Sequence, residues 1–314
     1  MRVYIIKRLF AAIPVALIVA VMSFGLIRSA AGDPSLLILG PAPTPEEVAS
    51  VRAQLGLDRS IVAQFTIWLG GVVQGDLGRS FFLGRDVSTA IIERLPATLQ
   101  LTGVAFVMAI ALGIPAGVVA AVRHNRLVDR AVMLMSLLGV SIPVFWLGLL
   151  LIWVFGVQLR WFPIGGYVPL LTDPVDSLRH SVLPAFSLGV LHATLIARIT
   201  RASMLEVLGQ DYIRTARAFG LRERTIIFGR ALKNALIPTI TVVGTTLGAL
   251  IGGVVIVETV FTYPGIGRMV VQGVQQRDYN LVQGVLLVTA LMYVVVNLLV
   301  DLMYAWVDPR IRYD

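Results

Sequence analysis

Few residues in this chain could make or break bonds. Cysteine is absent, which removes disulfides, thiolate metal sites and thiol nucleophiles together. Histidine occurs only at His124, His180 and His192, and no two of them share a spacing that would turn a pair of imidazoles toward one metal ion. There is no Gly-x-Ser-x-Gly elbow and no glycine-rich phosphate loop. The chemistry that remains is recognition, and it is concentrated in a basic stretch from Gly209 to Thr225. Asp211 is placed to cap a short helix from Tyr212 to Phe219, and Gly220 to end it in the left-handed conformation. Tyr212, Ala216 and Phe219 fall at i, i+4 and i+7 on one apolar face, with Arg214 and Arg217 elsewhere. A two-turn helix does not hold in water alone and needs a surface. That surface is either the rest of this chain or a groove on a separate cytoplasmic protein.

The elements that position this stretch follow from composition. Of the 314 residues, 57% are hydrophobic and 14% charged, with a mean hydropathy of +0.85, values that exclude an ordinary soluble domain. Six stretches lack Asp, Glu, Lys and Arg: Leu9 to Ile27, Leu95 to Val122, Ala131 to Leu159, His180 to Ala197, Asn234 to Val257 and Tyr279 to Val300. Each approaches or exceeds the roughly 20 apolar residues a helix needs to cross a bilayer. With that much of the chain in lipid, no large soluble catalytic domain fits. The net charge of +8 and pI near 10.3 would suit nucleic acid, but in a membrane chain basic residues mark the cytoplasmic side. The partner they imply is the lipid bilayer, with no nucleic acid.

The expected organisation is a cytoplasmic N-terminus at 1–8, a first span at 9–31, an extracytoplasmic insert at 32–94, spans at 95–122, 131–157 and 180–203, a cytoplasmic loop at 204–234, a span at 235–257, an extracytoplasmic loop at 258–278, a last span at 279–305 and a cytoplasmic tail at 306–314. With the charged segments Met1 to Arg8, Arg123 to Arg130, Arg198 to Lys233 and the tail from Asp301 counted as inside, the inside carries 16 basic and 7 acidic residues and the outside 10 and 11, as the positive-inside rule requires. The small residues Ser29-Ala30-Ala31-Gly32 resemble a cleavage site, but the apolar run before them exceeds a signal core, and the first helix is expected to be retained.

Within the insert, Thr44-Pro45-Glu46-Glu47 has the capping-box pattern, Gly56 marks a stop, and Asp58 is placed to cap the next helix. Ser60 to Gly75, with Ile61, Phe65, Trp68, Leu69 and Val72 on one face, predicts an interfacial helix outside the membrane. The insert either packs over the outer face or docks an extracytoplasmic partner. In the spans, Gly113 and Gly117, and Gly244, Gly248 and Gly252, form four-residue stripes that let helices approach closely. Pro143 in the third span and Pro184 at the start of the fourth are expected to kink or cap their helices. No ionisable residue lies well inside a span, which argues against an ion-coupled secondary transporter or a channel with a proton relay.

At this point the chain resembles the integral membrane subunits of bacterial binding-protein-dependent ABC importers. Their loop motif is Glu-Ala-Ala, three residues, Gly, and later Pro. Here Arg214-Thr215-Ala216, Gly220 and Pro238 stand at those positions, and Tyr212 to Leu221 followed by Asn234 to Pro238 has the form of the peptide and nickel branch. Gly75 to Ser80, Arg94 to Leu99, Phe261 to Gly267 and Asp308-Pro309-Arg310 are similar to the same branch. The N-terminal Tyr4 to Leu9 and the long first insert look like the first of the two permeases of a dipeptide or oligopeptide importer.

The resemblance implies an all-α membrane protein with the six-helix type I ABC importer permease fold. It implies a heterodimer with a second homologous permease, two ABC ATPase subunits, and an extracytoplasmic substrate-binding protein. It implies no cofactor in this chain, with ATP and Mg held by the ATPases. Tyr212, Arg214, Thr215, Ala216, Arg217, Phe219, Gly220 and Leu221 would form the coupling helix; Arg217, Arg222 and Arg224 either pair with acidic rims of the ATPase groove or only mark the cytoplasmic side of the membrane. Tyr263-Pro264-Gly265 would form an outer gate reaching toward the binding protein. Short peptides are the expected cargo, with nickel chelates, glutathione and haem as alternatives.

Overall fold

Apolar runs of this length can satisfy their backbone groups in lipid only by forming helix, and helix is what they form. The computed structural model describes residues 2–29, 39, 43–54 and 56–307. Ala30 to Gly32 and the Asp308-Pro309-Arg310 ending lie outside the described residues. The elements are α1 (Arg2–Ser29), α2 (Pro45–Gln54), α3 (Ile61–Val73), α4 (Val87–Val122), α5 (Leu127–Ser141), α6 (Val144–Leu151) running on as a π-helical segment (Ile152–Gln158), α7 (Pro174–Leu208), α8 (Asp211–Ala218), a π-helical segment (Thr225–Ala231) that leads into α9 (Leu232–Val260), α10 (Ile266–Gln275) and α11 (Tyr279–Val307).

Among the described residues, α4, α7, the helix Thr225–Val260 and α11 to Asp301 are each long and apolar enough to cross a membrane, and α1 holds a shorter apolar stretch, Ile13–Gly25. The third predicted span is two helices. Leu127–Ser141 and Val144–Gln158 meet at 105°, because proline holds the residue before it out of the helical region and Ile142 is extended at φ −85°, ψ 122°. Pro143 stands at the N-cap position of α6, the cap that is one of the two outcomes its place in the sequence predicts. Pro184 lies inside a helix and does not cap one: α7 begins ten residues earlier, at Pro174, where Asp173 Oδ1 accepts from the backbone N–H groups of Val175 and Asp176, both at 3.0 Å.

The chain divides into two units, residues 1–96 with 264–294, and residues 97–263 with 295–314. In the first unit the capping box forms as its sequence predicts. Thr44 N–H donates to Glu47 Oε2 at 2.8 Å and Glu47 N–H to Thr44 Oγ1 at 3.3 Å, which holds the Glu47 carboxyl below its ordinary pKa. The cap of α3 is Ser60, whose hydroxyl accepts from Ala63 N–H, in place of the predicted Asp58. Phe65, Trp68, Leu69 and Val72 of α3 pack on a core that includes Ala20, Leu77, Val87, Ile266, Met269 and Leu281. The Gly75 to Ser80 stretch is pinned by Asp278: Ser80 Oγ donates at 2.6 Å and Phe82 N–H at 3.0 Å to Oδ2, while Leu281 N–H donates to Oδ1 at 3.1 Å.

In the second unit the bulk of the core joins Leu101, Ala105, Leu151, Leu183, Leu188, Leu250, Val254, Phe261 and Tyr263. The α4 stripe works as its spacing predicts. A β-carbon on Gly113 would stand 2.7 Å from Ala193 O, and one on Gly117 would stand 2.5 Å from Ala197 O, so α4 and α7 meet backbone to side chain. The α9 stripe is only partly inside: Gly244 and Gly248 are buried, whereas Gly252 is exposed with nothing within 4 Å of its β-carbon position. Glu258, assigned from sequence to an outer loop, lies in the last turn of α9. It is fully buried, and its Oε1 accepts from Thr98 Oγ1 at 2.6 Å.

Candidate functional site

The basic stretch between α7 and α9 folds as a short helix, α8, clamped at both ends. Gln210 stands at the N-cap position with an extended backbone, and its side chain makes no capping hydrogen bond. Asp211 is the first helical residue, not the cap the sequence predicted. Its carboxylate lies 3.3 Å from Arg214 Nη1. The C-terminal end is as predicted. Gly220 is left-handed at φ +74°, its N–H donates to Arg217 O at 2.9 Å, and Leu221 N–H returns to Ala216 O at 3.2 Å. That conformation is strained for any residue with a β-carbon.

Tyr212, Ala216 and Phe219 do not share one environment. Ile213 and Ala216 are buried, while Tyr212 is 41% and Phe219 82% exposed. The reason is the shape of the receiving surface. Ile213 and Ala216 share a core with Val118 and Ala121 of α4, Met204 of α7, Ile226 and Ala231 of the π-helical segment and Ala235 of α9. A floor with three alanines accepts an isoleucine and a methyl group but not two aromatic rings. Tyr212 instead accepts a hydrogen bond at its hydroxyl from Asn234 Nδ2 at 2.8 Å. Arg217 Nε donates to Glu223 Oε1 at 2.7 Å, so this guanidinium is already paired within the loop.

α8 therefore rests on the ends of three long helices and presents Phe219, with Tyr212 and the 36%-exposed Leu221, outward. Of the predicted residues, Tyr212, Phe219, Gly220 and Leu221 lie on the exposed side with Arg214, Thr215 and Arg217, and Ala216 alone faces in. Ile213 and Ala216 are the buried side chains by which α8 rests on α4, α7 and α9.

A second inward clamp was not predicted. Asp129 at the start of α5 is 3% exposed, and Arg201 of α7 grips it with Nε to Oδ1 at 2.6 Å and Nη2 to Oδ2 at 2.8 Å. His124 Nδ1 lies 3.3 Å from Oδ2, and Asn125 N–H donates to the same oxygen at 2.9 Å. The sequence signal available was one acid among three arginines in an eight-residue turn, which does not identify its partner.

The predicted outer gate is not arranged to reach outward. Tyr263 is fully buried. Its hydroxyl lies 3.3 Å from both Gln100 Nε2 and Ser181 Oγ, and its ring meets Tyr167 edge-on with centroids 5.4 Å apart. Gly265 is buried as well and stands at the N-cap of α10. Burial pushes the Tyr263 phenol up to about 12. Tyr263 acts as an internal anchor of the second unit.

The family described as binding-protein-dependent transport system inner membrane component matches residues 113–313, and its N-terminal companion family matches residues 1–102. The chain belongs to this family of ABC importer permeases. It is therefore a multi-pass inner membrane transport subunit, a family whose members work with ATPases and a substrate-binding protein. A Brucella abortus protein named for a peptide transport system permease is 46% identical over 314 residues, all of both chains. A probable peptide ABC transporter permease protein of Sinorhizobium fredii is 44% identical over 313 residues, also covering 100% of each chain. The glutathione transport system permease protein of Escherichia coli K12 is 43% identical over 310 residues, 99% of each. The MetNI methionine ABC transporter, solved in inward-facing conformations, gives a TM-score of 0.56 at 20% identity, covering 70% of this permease and 96% of that chain. That likeness establishes the type I permease fold.

Proposed function

We propose that this permease forms one half of the translocation pathway of an ATP-driven importer of short peptides, paired with a second, homologous permease and driven by two ATPases that grip α8 and its counterpart. ATP and magnesium belong to the ATPases, and this chain contributes no catalytic group. The observation that carries the reading is the geometry of α8. It has an exposed Phe219 at its end, a glycine-only turn behind it, and a buried face seated on α4, α7 and α9. Such a helix takes a push from a partner groove and delivers it to the spans. The 16-to-10 division of basic residues supports cytoplasmic N- and C-termini, with α8 on the same side as the ATPases. The peptide cargo rests on the two relatives named for peptide transport, and glutathione, itself a tripeptide, is the second reading.

The test is ATP-dependent uptake of labelled di- and tripeptides, with glutathione alongside, into proteoliposomes carrying the full complex. Gly220→Val is expected to leave the permease inserted and the ATPases hydrolysing, with uptake lost. Wild-type uptake in that variant would remove the coupling role from α8, and uptake of neither peptide nor glutathione by the native complex would remove the cargo assignment.

A further inference from the structure

The turn between α4 and α5 carries three arginines that enter the transport reading only as cytoplasmic charge. Arg123, Arg126 and Arg130 are exposed, and none has a side-chain hydrogen bond or ion pair among the described residues. The single acid of the turn, Asp129, is turned inward and held by Arg201 at 2.6 Å, so it does not offset them. Together with Asn125, Leu127 and Val128, the three arginines line an open cavity of about 460 Å³.

The level of this cavity is fixed by the chain. α4 ends at Val122 and α5 begins at Leu127, leaving a four-residue connection with an extended reach of at most about 14 Å. Two apolar helices joined so tightly hold the connection where they leave the bilayer. Leu127, 81% exposed, and Val122, 45% exposed, stand beside the arginines, and this mixture of bare aliphatic side chains and guanidinium groups fits one environment, the boundary between acyl chains and headgroups. An acidic protein surface would satisfy the arginines and leave the two aliphatic side chains in water.

We propose that the 123–130 turn is a binding site for an anionic glycerophospholipid of the phosphatidylglycerol type. Arg123, Arg126 and Arg130 receive the phosphate through charge-assisted, bidentate hydrogen bonds, and Leu127 meets the start of an acyl chain. Because Arg201 sits behind the same turn and clamps it to α7, an occupied site braces the α4–α5 turn against α7.

Native mass spectrometry of the full-length permease in detergent, with added phosphatidylglycerol, phosphatidylcholine or sn-glycerol 3-phosphate, reads the site directly. Phosphatidylglycerol is expected to be retained and to raise the melting midpoint. R123Q/R126Q/R130Q is expected to weaken its binding roughly a hundredfold, at about a factor of five per arginine, while single Gln variants lose about a fivefold share each. R123K/R126K/R130K keeps the charge but not the two-pronged geometry and is expected to bind between the wild type and the triple Gln protein, which separates lipid recognition from misfolding. Equal retention of phosphatidylglycerol by wild type and the triple Gln protein overturns the proposal. So does equal retention of phosphatidylcholine, or equal stabilisation by sn-glycerol 3-phosphate, which would make the site one for a free phosphate. Loss of co-purifying ATPases with unchanged lipid binding overturns it in favour of a protein contact. None of these outcomes bears on the cargo or on α8.

Discussion

Arg201 and Asp129 lie 72 residues apart in sequence and form a two-pronged ion pair, Nε to Oδ1 at 2.6 Å and Nη2 to Oδ2 at 2.8 Å, with the Asp129 side chain 4% exposed and that of Arg201 22% exposed. The pair ties the start of α5 to α7. Removing one partner of a buried pair strands the other charge at about 3–5 kcal/mol, and the partial exposure of Arg201 sets the expectation for Asp129→Ala at the lower end of that range. Thermal melting of the purified permease should show the loss, and Arg201→Lys should recover only part of the stability because a single ammonium cannot reproduce the fork. A melting midpoint unchanged by Asp129→Ala would mean that the clamp carries no strain-bearing role.

The two faces of α8 separate stability from coupling. Phe219 is 82% exposed and Ile213 is fully buried, so Phe219→Ala is expected to change stability by no more than about 0.5 kcal/mol, and Ile213→Ala to lower it by about 2–5 kcal/mol. The transport readout should invert that order of interest: Phe219→Ala should cut ATPase co-purification and uptake in a permease that melts normally. If Phe219→Ala leaves both intact, the outward face of α8 is not where the ATPases hold.

What was legible in the sequence was local. The Thr44–Glu47 box and the left-handed Gly220 depend on residues within four positions of one another, and both formed as their spacing predicts. Five of the six apolar runs fall within single helices, and the third is divided between two at Ile142 and Pro143, because helix is how such a run satisfies its backbone in lipid. What failed depended on surfaces the sequence does not display. The Tyr212, Ala216 and Phe219 face, left open between this chain and a partner groove, is divided: an alanine-lined seat built from α4, the π-helical segment and α9 takes Ile213 and Ala216, and Tyr212 and Phe219 face outward. Tyr263, given an outer-gate role by the family resemblance, is held inside by Gln100, Ser181 and Tyr167, the two hydrogen-bonding partners lying 163 and 82 positions away. Asp129 and Arg201 were each counted as topology charges, and nothing in their neighbourhoods names the other.

The glycine stripes make a sharper test, because the two that look alike in sequence differ in structure. A β-carbon at Gly117 would sit 2.5 Å from Ala197 O and 2.6 Å from Thr200 Cβ, whereas at Gly252 it meets nothing within 4 Å. Gly117→Ala must push α4 from α7 and is expected to destabilise by about 1–3 kcal/mol. Gly252→Ala adds only helix propensity and is expected to be neutral or stabilising by up to about 1 kcal/mol in a helix interior. Melting of the two single variants side by side checks the contrast. Equal destabilisation would show that Gly252 meets a partner subunit in the assembled importer.

Tyr263 offers a spectroscopic handle on the second unit. Its phenol is raised from the ordinary 10.0 to about 12, first by burial. A group whose folded value is raised contributes stability that is complete below about pH 10 and is lost as pH climbs toward about 12. In a tyrosinate absorbance titration, one tyrosine of the wild-type permease should therefore ionise late, together with loss of tertiary structure, and that late step should vanish in Tyr263→Phe. The Phe variant should lose only about 1 kcal/mol, because Gln100 Nε2 keeps Val168 O and Ser177 Oγ, at 3.2 and 2.8 Å, as acceptors. Tyr263→Ala should lose about 3–5 kcal/mol from the cavity it leaves, so an uptake defect in the alanine variant that is absent from the phenylalanine variant assigns Tyr263 to packing. Loss of uptake in Tyr263→Phe at normal stability would instead restore the outer-gate role to its hydroxyl.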